Sequence, residues 1–181
     1  KTGFLEGLRE LCDRHGVLLI FDEIVTGFRL AYGGAQERYG VVPDICTLGK
    51  IIGGGFPLAA VAASAEIMKH FDKSAVARDR WLMQLGTLSG NPVAAAAGLK
   101  TMEVLRRPDT YDTLTGLGEA LQRMQTMALD RAGIVHRIVG DPTLFDVIFT
   151  DAECLDYRSA KHRDPALNAR YNAVLRNEGI F

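Results

Sequence analysis

Leu5, Leu8, Leu11 and Cys12 follow the three-four spacing of one buried helical face. Thr2 is placed to cap that helix, and Gly16 stands where a left-handed residue ends one. Val17-Leu18-Leu19-Ile20-Phe21 is then an unbroken apolar run. It is too short for a helix and reads as a central parallel strand covered on both faces. Asp22 and Glu23 follow at its carboxyl end. Residues 24–40 are glycine-rich and loop-like, with a short helical piece at 35–39. A second strand at 45–48 ends on Gly49-Lys50, and Gly53-Gly54-Gly55 with Pro57 forces a turn. A third strand is expected at 58–63, a helix at 65–71 and a loop at 72–84.

Asn91-Pro92 pairs a capping side chain with a proline at the first helical position, opening an alanine-rich helix that runs to about Arg106. The small residues from Ala94 to Gly98 demand close packing, and Pro108 ends the helix. A long helix at 111–132 carries Leu114, Leu117, Leu121, Met124 and Leu129 roughly on one stripe. Met124 and Met127 are read as core filler. Strands at 134–139 and 144–150, a polar insert and a helix at 165–178 complete the chain. This order predicts an α/β domain over residues 1–107 and a smaller α+β domain over 108–181. Lys1 opens directly into a helix, and Gly179-Ile180-Phe181 reads as the start of a strand, so both domains are expected to be incomplete parts of a longer protein.

Composition narrows the function classes. Apolar residues make up 48% of the 181 and charged residues 24%, with a net charge of −1. That balance gives no footprint for nucleic acid or a membrane surface, and no run approaches the roughly 18 apolar residues of a membrane span. Cys12, Cys46 and Cys154 have neither disulfide-framework nor zinc spacing, and as free thiols they fit a reducing cytoplasm. His15, His70, His136 and His162 have no metal spacing and are expected at surfaces or helix ends.

In open parallel sheets ligands gather at the carboxyl ends of strands. Two strand ends here carry ionisable groups, Asp22 and Lys50, while Gly86-Thr87 before the capped helix offers amides and a hydroxyl suited to a phosphate. A carboxylate, an amine and a phosphate turn are what pyridoxal phosphate requires. Its aldehyde condenses with a lysine, its ring nitrogen needs an anion, and its phosphate needs donors. A Schiff-base lysine reacts when desolvation lowers its proton affinity, and Gly49 with Ile51-Ile52 is expected to supply that. A phosphate-binding nucleotidase loop fails, because Ile51 stands where serine or threonine must follow the lysine.

The strings themselves carry a resemblance. Asp22-Glu23-Ile24-Val25-Thr26-Gly27-Phe28-Arg29, Pro43-Asp44-Ile45-Cys46-Thr47-Leu48-Gly49-Lys50-Ile51-Ile52-Gly53-Gly54-Gly55 and Gly86-Thr87-Leu88-Ser89-Gly90-Asn91-Pro92 occur in order. They resemble three motifs of the class III aminotransferases. The resemblance implies a fold type I transferase, with a mostly parallel sheet in a large cofactor domain followed by the start of a small α+β domain. It implies that Lys50 forms the Schiff base and shuttles the proton, and that Asp22 pairs with the ring nitrogen. Gly86 and Thr87 would contact the phosphate across a homodimer interface, so that active sites are shared. Glu23 would orient its neighbours through hydrogen bonds. Val25 stands at a cofactor contact where many ω-aminotransferases carry a glutamine that bonds the phenolic oxygen, which valine cannot do. Arg29 fits a substrate carboxylate or a solvated loop equally well.

Gly33-Gly34-Ala35-Gln36, Thr47-Leu48-Gly49-Lys50 and the Gly86 segment resemble the glutamate-1-semialdehyde aminomutase subgroup. Leu58-Ala59-Ala60-Val61-Ala62-Ala63-Ser64 departs from that subgroup's glycine-rich continuation after Pro57. The resemblance therefore implies an aminotransferase acting on a small-molecule amino donor and a keto or aldehyde acceptor, with the intramolecular mutase as the alternative. A non-catalytic remnant of the fold is the second alternative.

Overall fold

The computed structural model describes residues 2–180. Lys1 and Phe181, expected at the opening of the first helix and the start of a last strand, lie outside the described residues. The chain divides into two compact units, Lys1–Tyr111 and Asp112–Phe181.

In the first unit, α1 (Phe4–His15) starts after Gly3, whose φ of 78° and lack of a side-chain cap replace the expected Thr2 cap. Thr2 is one residue too early, since a capping side chain must stand immediately before the first helical residue. Leu5, Leu8 and Cys12 are half-buried on the expected face, whereas Leu11 is exposed. The helix ends at Gly16, φ 63°, as the sequence leads one to expect.

β1 (Ile20–Glu23) and β2 (Ile45–Leu48) pair in parallel, with Ile20 opposite Ile45 and Asp22 opposite Thr47. The strand thus begins later than expected and contains Asp22 and Glu23 instead of ending before them. The cause lies at Leu19, whose amide donates to Asp44 Oδ2 at 2.7 Å. Its carbonyl accepts from Asp44 N at 2.9 Å and Ile45 N at 3.2 Å. The connection from β1 to β2 carries α2 (Gly34–Tyr39), a crossover of the kind parallel pairing needs. β3 (Ala60–Ala63) is reached through one 3-10 turn, Lys50–Gly53, and runs antiparallel to β2. So short a return has no crossover helix. Among the described residues the expected mostly parallel sheet is one parallel and one antiparallel pair. β1 lies at its edge, with only Leu19 of the apolar run buried while Val17, Leu18 and Ile20 stand open. The two-faced cover expected for that run is not supplied by these residues.

Asn91 caps α4 (Pro92–Leu105), its Oδ1 accepting from Val93 N at 2.9 Å and Ala94 N at 3.2 Å. The helix packs on the 3-10 turn so closely that a Cβ on Gly98 would sit 2.5 Å from the Ile52 carbonyl oxygen. Only glycine permits that approach. Tyr111 joins this unit through its hydroxyl, which donates to the Phe28 carbonyl at 2.9 Å.

In the second unit, α5 (Thr110–Arg131) meets the antiparallel pair β4 (Arg137–Asp141) and β5 (Leu144–Ile148). Leu129, Val147 and Phe149 form the core, with Ile134, Ile138, Phe145, Leu167 and Tyr171 around it. The hairpin also presses on α5 at Gly118, where a Cβ would collide with the Pro142 carbonyl, yet of the stripe only Leu129 is buried. Leu114, Leu117, Leu121, Met124 and Met127 are exposed, so the methionines are not core filler here. His136, expected at the surface, has a side chain only 7% exposed, its Nδ1 lying 3.0 Å from the Ile134 carbonyl. The polar insert contains a short α6 (Tyr157–Ala160), and Asp164 caps α7 (Pro165–Asn177).

The Leu19 amide, and after it the Arg9 guanidinium at 2.8 Å, hold the Asp44 carboxyl below its ordinary range. A depressed folded value stabilises above the unfolded value of about 3.9 and is lost as pH falls through the folded one. Urea midpoints of wild type and Asp44→Asn should therefore differ near neutral pH and converge below about pH 4.

Candidate active site

Asp22 and Lys50 reach neighbouring strand ends through the parallel register. Asp22 is exposed, and its Oδ1 accepts from the Ile24 amide and from Thr47 Oγ1 across the pair, each at 3.1 Å. Oδ2 accepts no hydrogen bond from a described residue. Thr47 precedes Lys50 by three residues, roughly 10 Å along an extended chain. The two strand ends also touch, since a Cβ on Gly49 would lie 3.3 Å from Ile24 Cγ2.

Lys50 adopts φ 47°, a left-handed conformation that side-chain-bearing residues rarely hold. Such strain costs on the order of 1 kcal/mol and persists where the surroundings impose it. Here buried Gly49, in extended conformation, precedes it, and the following turn is pressed against α4 at Gly98. The Lys50 ammonium has no hydrogen-bond or ion-pair partner among the described residues. It is exposed, so the expected desolvation by Ile51 and Ile52 is not provided here: Ile52 turns inward and Ile51 is half-buried.

Beside Asp22, Glu23 does the opposite and is sealed, with 1% exposure. Its carboxylate accepts from Thr26 Oγ1 at 2.9 Å, Ala35 N at 2.7 Å, Gln36 N at 3.2 Å and Gln36 Nε2 at 3.0 Å. Gly34, φ 70°, leaves room for it, since a Cβ there would collide with Glu23 Oε2. The same stretch is fastened further on. Tyr111 holds the carbonyl of Phe28, whose φ is 58°, and Arg106 Nη2 donates to Tyr32 OH at 2.7 Å. Val25 is exposed two residues beyond Glu23.

Gly86 and Thr87 lie in an exposed turn before α4, closed by Ser89 N donating to the Gly86 carbonyl at 2.9 Å. No hydrogen bond joins them to Asp22, Val25 or Lys50. The structure therefore brings Asp22 and Lys50 near the carboxyl ends of adjacent strands and leaves Gly86 and Thr87 on a separate, open turn. Sequence reasoning missed Thr47 and Tyr111. Only the strand register reveals the first, and only the loop's return to the start of α5 reveals the second.

The family model for class III aminotransferases matches residues 1–177. A glutamate-1-semialdehyde 2,1-aminomutase of Nitratidesulfovibrio vulgaris strain DP4 is 47% identical over 181 residues, all of this chain and 41% of that protein. The chain thus spans about two fifths of that relative's length. An ω-transaminase from Sphaerobacter thermophilus superposes with a TM-score of 0.89 at 37% identity, over 100% of this chain and 41% of its own. A glutamate-1-semialdehyde aminomutase variant from Pseudomonas aeruginosa PAO1 in complex with PMP gives 0.82 at 26% identity, with the same coverage.

Replacing Glu23 by glutamine would turn an amide donor toward N–H groups inside a sealed site. Glu23→Gln should lower unfolding free energy by about 2 kcal/mol, read from urea denaturation; an unchanged midpoint would show that the four donors are satisfied without the charge.

Proposed function

We propose, for a chain that belongs to the class III aminotransferase family, that Asp22 and Lys50 serve opposite ends of one pyridoxal phosphate ring in amino-group transfer. The observation that carries this is the register of β1 on β2, which sets a carboxylate with one oxygen open among the described residues beside the strand that leads to Lys50, whose ammonium has no partner among them. The residues fit the group. The Lys50 amine, with no partner among the described residues, would hold the aldehyde, and Asp22 Oδ2, which accepts from no described residue, would accept from the ring nitrogen. When bound, the cofactor supplies an electron sink for negative charge at the substrate carbon.

The protein's part is orientation and proton handling. Asp22 keeps the ring nitrogen protonated. Lys50 would hold the cofactor and supply Nζ as the base that moves a proton at the substrate carbon. The left-handed backbone at Lys50, clamped by α4, fixes where that nitrogen starts. Glu23 holds the turn that presents the Ile24 amide to Asp22, and Val25, exposed on the same turn, would offer the cofactor no hydrogen bond.

Gly86 and Thr87 belong to the phosphate site in this reading, supplied by a second copy in a homodimer. The apolar, exposed run of Leu82, Met83, Leu85, Leu88 and Val93 around that turn supports a covering partner. Residues 1–107 are the carboxyl-terminal part of the large cofactor domain, and 108–181 part of the small one. The substrates are a small amino donor and a keto or aldehyde acceptor. Cytoplasmic residence belongs to the same proposal, in keeping with three free thiols. No helix among the described residues is long and apolar enough to cross a membrane.

Intramolecular transfer on glutamate 1-semialdehyde is the second reading, favoured by the 47% identity to a protein of that name. The semialdehyde supplied alone separates the two readings: a mutase turns it over fully, whereas an aminotransferase needs a separate donor and acceptor.

Lys50→Ala in the full chain should remove the visible cofactor band that borohydride bleaches and cut turnover by about a thousandfold or more. Unchanged turnover would exclude the role. Asp22→Asn should retain the cofactor and slow turnover by roughly a hundredfold, and a near-normal rate would remove the ring-nitrogen pairing.

A further inference from the structure

We propose that Thr47 is a positioning residue for the reaction, its hydroxyl fixing the Asp22 carboxylate so that Oδ2 is the oxygen left for the ring nitrogen. The inference rests on the reading of Asp22 and Lys50 given above. An aspartate carboxylate turns about a soft terminal torsion, and Asp22 is exposed, so packing does not hold its plane. Two donors do, and both reach Oδ1: the Ile24 amide and Thr47 Oγ1, each at 3.1 Å.

The two donors differ in origin. Ile24 follows Asp22 closely in the chain, and its amide makes a local turn that any carboxylate at position 22 meets. Thr47 comes from the neighbouring strand, in direct register with Asp22. Its β-branched side chain is stiff and half-buried, so the donor arrives in a fixed direction. A slip of the register by one residue would carry Thr47 to the opposite face of the sheet. The bond therefore ties the acid on β1 to the strand that delivers Lys50. Its loss would leave the local Ile24 amide as the one described donor on Oδ1, so the carboxylate plane would be held less firmly and Oδ2 presented less steadily to the ring.

The test uses the full chain with pyridoxal phosphate as probe. Thr47→Val keeps the shape and removes the donor, and Thr47→Ser keeps the donor and drops a methyl. Three quantities are read: the Kd for the cofactor, the pH at which the bound cofactor's visible band titrates, and the thermal midpoint. The valine variant should melt within a few degrees of wild type, bind the cofactor about tenfold more weakly and titrate at a displaced pH. The serine variant should bind within about twofold of wild type and titrate with it. Identical Kd and titration in wild type and Thr47→Val would overturn the proposal while leaving the function intact. So would a serine variant as impaired as the valine one, because the methyl would then be the working part. A wild type that takes up no cofactor would overturn the functional reading, and with it the positioning role.

Discussion

A carboxylate shut away from water must be met by donors or it destabilises the fold, and at Glu23 four donors from three residues meet it. Two of those donors are backbone amides at the start of α2, and a third is the hydroxyl of Thr26. The crossover from β1 toward β2 is thereby drawn back onto the strand that it leaves. Everything near Asp22 inherits this geometry. The turn after Glu23 delivers the Ile24 amide to the Asp22 carboxylate and the Ile24 side chain to Gly49. One buried charge thus sets an exposed one, and through Gly49 it reaches the residue next to Lys50.

The lysine end is held by different means. Lys50 stands in a backbone conformation it would not choose alone, and its ammonium has no partner among the described residues that would fix it there. Steric closure does: α4 lies against the 3-10 turn so tightly that Gly98 has no room for a methyl group before the Ile52 carbonyl. Asn91 anchors the start of that helix by accepting two amide protons. The turn that begins at Lys50 and the helix that follows the Gly86-Thr87 turn are in this way one packed piece. The acid is placed by hydrogen bonds, the amine by shape.

Much of this was legible in the sequence, for physical reasons that can be named. The Asn91-Pro92 start, the Gly16 stop and the strand at Ile45–Leu48 follow from local rules of capping and length, and those rules operate here unopposed. The nearness of Asp22 and Lys50 to neighbouring strand ends was legible because each stands at the carboxyl end of a short apolar run. What escaped depended on partners distant in sequence. The start of β1 moved because Asp44 claims the amide of Leu19. The third strand reversed because the link from β2 is too short for a crossover. Thr47 looked like an ordinary strand residue until the register set it against Asp22. Met124 and Met127 of α5 were expected as core filler, yet along the stripe only Leu129 is buried among the described residues. Lys50 was read as desolvated, yet its apolar neighbours turn inward or aside.

The central claim is that Lys50, and no other lysine, bonds the cofactor opposite Asp22. Borohydride reduction of the full chain loaded with pyridoxal phosphate, followed by digestion and mass spectrometry, tests it directly. The account predicts one reduced pyridoxyl phosphate adduct, on the peptide that contains Lys50. An adduct on Lys69, Lys73, Lys100 or Lys161 with Lys50 unmodified would contradict it.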